Sequence, residues 1–141
     1  MEEYKVLQEI NQSAKTGMDG LNYIFEKVKD NEFKNLLYRQ QNEYQNIYNR
    51  SKEILLQQDK QEKDTPVFQK VMSWMGIQLN TLDNQTSSKI AEILIQGNEM
   101  GIVKGTKILN NLQFSNQEIE NLLKDFIHLQ EENMETLKQY L

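Results

Sequence analysis

The chain has no cysteine, a single proline and a single histidine in 141 residues. Without cysteine there is no disulfide framework, no thiolate nucleophile and no thiolate metal site. With Pro66 alone to interrupt them, helices can run long. No stretch approaches the roughly 20 consecutive apolar residues of a membrane span. The start, Met1-Glu2-Glu3-Tyr4-Lys5, lacks the basic and apolar regions of a signal peptide, so a cytoplasmic location is expected. Basic residues form no cluster and the net charge is -5, which argues against a nucleic-acid surface.

What is present is a polar composition with regular apolar spacing. Hydrophobic residues make up 38% and charged residues 26% of the chain, with a mean hydropathy of -0.75. Long helices account for this, because each buries one stripe and wets the rest. Leu7, Ile10, Ala14, Gly17, Leu21, Ile24 and Val28 recur three and four apart, which is the spacing of a bundle seam. Asp30-Asn31 supplies turn and cap chemistry. A second stripe follows with Phe33, Leu37, Gln40, Tyr44, Ile47, Ser51 and Ile54.

Helices are expected over about 3–29, 32–58, 66–80, 89–112 and 116–140, in one domain spanning 1–141. Ser115 and Glu118 have the spacing of a capping box for the last of them. The halves echo each other: Val6, Ile10, Gly17, Ile24 and Val28 align in order with Ile90, Leu94, Gly101, Ile108 and Leu112. Two helical hairpins are thus joined by the segment from Asp59 to Ser88. A helix of this length is about 40 Å long, and a short helix with extended flanks can cover that distance. The fold class expected is all-α: an antiparallel four-helix bundle with a long crossover carrying a short extra helix between helices two and three.

With this arrangement the chain resembles the ferritin-like superfamily, in the company of rubrerythrin-type bacterial bundles. In members with a di-iron centre, helices one and three each give a glutamate, and helices two and four each give a Glu-x-x-His pair. Here the corresponding stretches read Gln40-Gln41-Asn42-Glu43-Tyr44 and Gln130-Glu131-Glu132-Asn133-Met134, with no Glu-x-x-His. Tyr44 and Met134 stand at the histidine positions, and Gly17, Gly97 and Gly101 occupy the mid-seam of helices one and three. Amides and a thioether are poor ligands for a hard iron site. The resemblance therefore implies the scaffold without the oxygen chemistry, and no catalytic residue, metal ligand or cofactor is assigned.

Several residues remain as candidates. Gly97, Gly101 and Gly105 each cost about 0.8–1 kcal/mol relative to alanine in a helix, so one face of helix three is either closely packed or lines a cavity. Gln40 and Gln130 interrupt apolar seams, and either bond to each other or to Glu43, or border a ligand. Glu43, Glu99 and Glu131 could hold a hard cation if all three turned inward. His128 and Asp125 share a helix face, as an acid–base pair or as surface charges. Phe68, Met72, Trp74 and Met75 give the crossover an apolar surface for the core or for a partner. The first functional reading is a non-catalytic bundle acting through protein contacts, as a homodimer built on the crossover. The alternative is a module holding a small ligand or a metal in an atypical interior site.

Overall fold

A computed structural model of the chain describes residues 2–63, 70, 73–78 and 86–141. Phe68 and Met72 of the expected crossover helix lie outside the described residues. Those described are helical with connecting turns, and no strand occurs among them. Four long helices, α1 (Glu3–Phe25), α2 (Asn31–Gln57), α3 (Ser87–Asn111) and α4 (Gln117–Lys138), pack together. Residues 73–78 are helical as well.

Short polar side chains start three of the long helices by accepting orphan amide protons. Asp30 accepts from Glu32 N at 2.9 Å, Thr86 from Lys89 N at 3.3 Å and Asn116 from Glu118 N at 3.0 Å. The cap of α4 is therefore Asn116, not the expected Ser115. Ser115 instead gives its backbone N–H and its hydroxyl to the carboxylate of Glu3. At the far end of α2, Asp59 takes a left-handed φ of 55°. Lys60 N then returns to Leu55 O at 2.8 Å, closing the helix end in the manner usually served by glycine.

Contacts between helices fix their directions. Asn11 meets Ser51 and Phe25 stacks on Tyr38, so α1 and α2 are antiparallel. Phe33 stacks on Tyr140 while Arg50 pairs with Asp125, so α2 and α4 are antiparallel too. Glu3 reaches the start of α4, and Lys104 of α3 pairs with Glu9 at 2.6 Å. Consequently α1 and α4 point one way, and α2 and α3 the other. The two hairpins, α1–α2 and α3–α4, are the closely packed units, whereas α1 and α3 touch only sparsely. Leu7, Leu21, Ile24, Phe33, Leu37, Ile90 and Leu123 fill the interior at 0–2% exposure. Val28 is still buried although α1 has ended at Phe25, short of the expected Lys29. Its side chain continues the seam from within the turn.

Candidate functional site: a cavity walled by glutamines

Between the loosely joined α1 and α3 lies a cavity of about 120 Å³, open in part to solvent. Its wall combines apolar side chains such as Leu21, Ile93 and Met100 with Gln12, Gln40 and Gln130. Those three glutamines are 2–5% exposed. Among the described residues, Gln12 Oε1, Gln40 Nε2 and Gln130 Oε1 are buried without a hydrogen-bond partner. Buried polar atoms are normally paired, with protein or with something held beside it. Three of the four unpaired atoms among the described residues belong to residues of this wall; the fourth, Asn133 Nδ2, lies outside it. Of the alternatives open on the sequence, a bond between Gln40 and Gln130 is not made.

The glycines explain how the space arises, and they divide in purpose. A Cβ at Gly105 would meet Ile127 Cγ1 at 2.9 Å, and one at Gly101 would overlap the Gln130 amide. Those two glycines accept side chains from α4. Gly17 accepts the ring of Tyr44, every near atom of which lies 3.1 Å from such a Cβ. Gly97 is different: among the described residues nothing lies within 4 Å of such a Cβ, and the residue opens on the cavity. Close packing and a cavity, alternatives on the sequence, both occur along one helix.

Tyr44 sits in the same wall, 7% exposed, with its hydroxyl donating to Asn98 Oδ1 at 2.8 Å. Burial pushes its pKa up to about 12, while the nearby Asn133 amide opposes the shift and Glu43 adds to it. The phenol therefore stays neutral and serves as a donor. Lys104 borders the cavity too, already paired with Glu9.

The remaining candidates stand elsewhere. Glu43 is half-buried on the α2–α4 side, its pKa raised by burial and by Glu132. Glu99 and Glu131 are exposed, so the three carboxylates do not turn inward together. Among the described residues no three His, Asp or Glu side chains form a group able to hold a metal ion. The cavity wall, with its amides, thioethers and absence of carboxylates among the described residues, does not fit a di-iron centre. His128 is exposed and pairs with Glu132 at 2.9 Å, and Asp125 pairs with Arg50, so of the two readings the structure has the surface charges and not a His128–Asp125 pair. Met75 is 8% exposed, with its sulfur against Gly20, and Trp74 packs half-buried on the core. Neither offers the free surface considered for them. Met134 is half-buried, outside the cavity wall, and the neighbouring Asn133 takes the inner position at 3% exposure.

Sequence reasoning passed over Asn11, Gln12, Thr16, Asn98 and Asn133, all 0–6% exposed. Being polar, they read as solvated positions. Spacing held the signal in two cases: Asn98 continues the line of Ile90, Leu94, Gly101 and Gly105, and Asn133 falls between Phe126, Gln130 and Leu137. No helix among the described residues is long and apolar enough to cross a membrane. No protein-family model, curated protein or solved structure matches the chain.

Proposed function

We propose that this protein is a non-catalytic, ferritin-like four-helix bundle that holds a small organic ligand in its interior. The observation that carries the reading is a cavity of about 120 Å³ between α1 and α3, lined mainly by apolar side chains together with the buried Gln12, Gln40 and Gln130. Leaving a buried polar atom unpaired costs about 1–3 kcal/mol, so three such glutamines beside one cavity mark a part of the interior that is not packed for stability. Gly97 adds support, because it bears the helical cost of glycine with no side chain of the described residues packed against it. The ferritin-like part of the reading rests on the parallel course of α2 and α3, which calls for an overhand connection between them. The non-catalytic part rests on the wall, whose ionisable groups among the described residues are a tyrosine with a pKa near 12 and an already paired lysine. Action through the crossover surface has less support, since Met75 is buried and Trp74 packs on the core.

The reading is tested by titrating ¹⁵N-labelled protein with xenon and with a panel of neutral single-ring compounds. Saturable shifts should gather at the amides of Thr16, Gly97 and Gly101, and Gly97→Leu, which fills the space, should abolish them while the rest of the spectrum is kept. If no probe gives saturable shifts there, or if the shifts persist in Gly97→Leu, the interior is not a binding site.

A further inference from the structure

One described side chain of the cavity wall comes from outside the four long helices. Met75 belongs to the helical stretch 73–78 of the crossover, and it is 8% exposed. It is seated on Gly20 of α1: a Cβ there would overlap Met75 Sδ and lie 2.7 Å from Cε. The thioether thus occupies the place that any larger residue at position 20 would fill. Leu21, next to Gly20 in the chain, and Ile93 of α3 are each 2% exposed and line the same cavity. Met75 therefore has the α1 backbone at Gly20 on one side and the cavity on another. An unbranched side chain with several rotatable bonds changes position at small cost, so the boundary that it forms can be moved.

The rest of the wall decides what can lie beside that boundary. Most of its surface is carbon, and the Tyr44 ring and a second thioether, Met100, contribute to it. Its polar side chains are largely committed within the protein. Thr16 Oγ1 donates to Gln12 O, Tyr44 Oη to Asn98 Oδ1 and Asn98 Nδ2 to Leu94 O, each at 2.8 Å. The unpaired Gln12 Oε1, Gln40 Nε2 and Gln130 Oε1 are covered by protein atoms and are not reached from the cavity. Among the described residues the one cation of the wall, Lys104, is paired with Glu9 at 2.6 Å, and the wall contains no carboxylate, so a buried ion would have no counter-charge. The volume of about 120 Å³ is slightly below the roughly 150 Å³ of an engineered protein cavity that accepts benzene. We infer that the site takes a neutral, apolar molecule of about single-ring size, and that Met75, seated on Gly20, sets this limit. The inference rests on the ligand-binding reading above and adds to it a ligand class and the side chain that determines size. Thioethers lie favourably against aromatic rings, so an aromatic hydrocarbon meets the conditions best. Gly20 is a positioning residue, since it acts on the cavity through Met75.

Four compounds separate the terms: benzene, naphthalene as a larger hydrocarbon, and benzoate and benzylammonium as ions. Each is titrated into protein labelled with ¹⁵N and with ¹³C at the methionine methyls. In the wild type benzene should give saturable shifts that include the Met75 methyl, and the other three should bind at least about tenfold more weakly. Gly20→Ala drives the thioether toward the cavity, and benzene should then bind about tenfold more weakly, the scale of one methylene in an apolar pocket. Met75→Ala should admit naphthalene, whereas Met75→Leu, which keeps the volume, should exclude it as the wild type does. In the Met75→Ala background Gly20→Ala has no thioether to displace and should leave the binding of both hydrocarbons unchanged. Benzene bound without moving the Met75 methyl, an ion bound as tightly as benzene, naphthalene excluded from Met75→Ala, or a Gly20→Ala effect that persists without Met75 would overturn the inference while leaving the binding site in being. Failure of all four compounds to enter the wild-type protein would overturn the binding reading itself.

Discussion

Tyr44 and Asn98 form the buried hydrogen bond, 2.8 Å long, that joins α2 to α3, two helices that otherwise scarcely meet. Asn98 is held for the purpose: its Nδ2 donates to Leu94 O at 2.8 Å, so its oxygen is the atom turned to the phenol. Removing the hydroxyl with Tyr44→Phe leaves Asn98 Oδ1 buried and unpaired while the ring stays seated on Gly17. The variant is expected to lose about 1–3 kcal/mol of stability, measured by urea denaturation. A double-mutant cycle with Asn98→Ala should assign most of that loss to the pair. An additive cycle would mean that the two side chains act separately.

Much of this architecture could be read from the spacing of apolar residues, because burial of one face is what the spacing records. The stripe through Phe33, Leu37, Gln40, Tyr44, Ile47 and Ile54 is the buried face of α2. The site was legible only where a polar residue broke an apolar line, as Gln40 and Gln130 do. Asn11 and Gln12 were not legible, since adjacent amides between Ile10 and Ser13 look the same in a solvated helix. Their burial depends on Ser51, forty positions away along the chain. The α4 cap was misassigned for a similar reason: Ser115 has the right spacing, but the distant Glu3 carboxylate claims it.

That same carboxylate makes stability sensitive to acid. Glu3 accepts from Asn116 N, Ser115 Oγ and Ser115 N, and these bonds, that to Asn116 foremost, hold its pKa below the ordinary 4.5. A depressed folded-state pKa means that the contribution is present above the unfolded value and is lost as the pH falls through the folded one. Glu3→Gln, which resembles the protonated side chain, should melt below the wild type at pH 7. The gap should close as the pH drops below 4.5. A gap that stayed constant with pH would exclude the carboxylate charge as its source.

Glu43 should behave in the opposite sense. Burial first, and then the neighbouring Glu132, raise its pKa above 4.5, with Arg39 acting against them. The folded protein thus binds this proton more readily than the unfolded chain, and Glu43 weakens the fold at neutral pH. Glu43→Gln is expected to raise the melting temperature at pH 7, with the advantage shrinking as the pH falls through the raised pKa and the wild-type side chain becomes neutral. Thermal melts of both proteins from pH 7 to pH 4 test this, and a destabilised variant at pH 7 would contradict it.

The glycines of α3 give the sharpest contrast, because one substitution should have opposite effects two turns apart. At Gly97 a new Cβ has nothing within 4 Å among the described residues, so Gly97→Ala gains helix propensity without a clash against them. Stability should rise by up to about 1 kcal/mol. At Gly105 the same carbon would lie 2.9 Å from Ile127 Cγ1 and 3.6 Å from Leu123 Cδ1, both on the packed face of α4. Gly105→Ala must therefore push α4 away, and a net loss of about 1–3 kcal/mol is expected. Gly101 lies between these cases: its Cβ would overlap the end of the Gln130 side chain, which has the adjoining cavity to move into. Urea denaturation of the three variants should rank Gly97→Ala above the wild type and Gly105→Ala lowest. A stabilised Gly97→Ala that also binds the neutral single-ring compounds less tightly would tie the helical cost of this glycine to the space it leaves open. A destabilised Gly97→Ala would instead mean that the position is packed and that the cavity is not there to be filled.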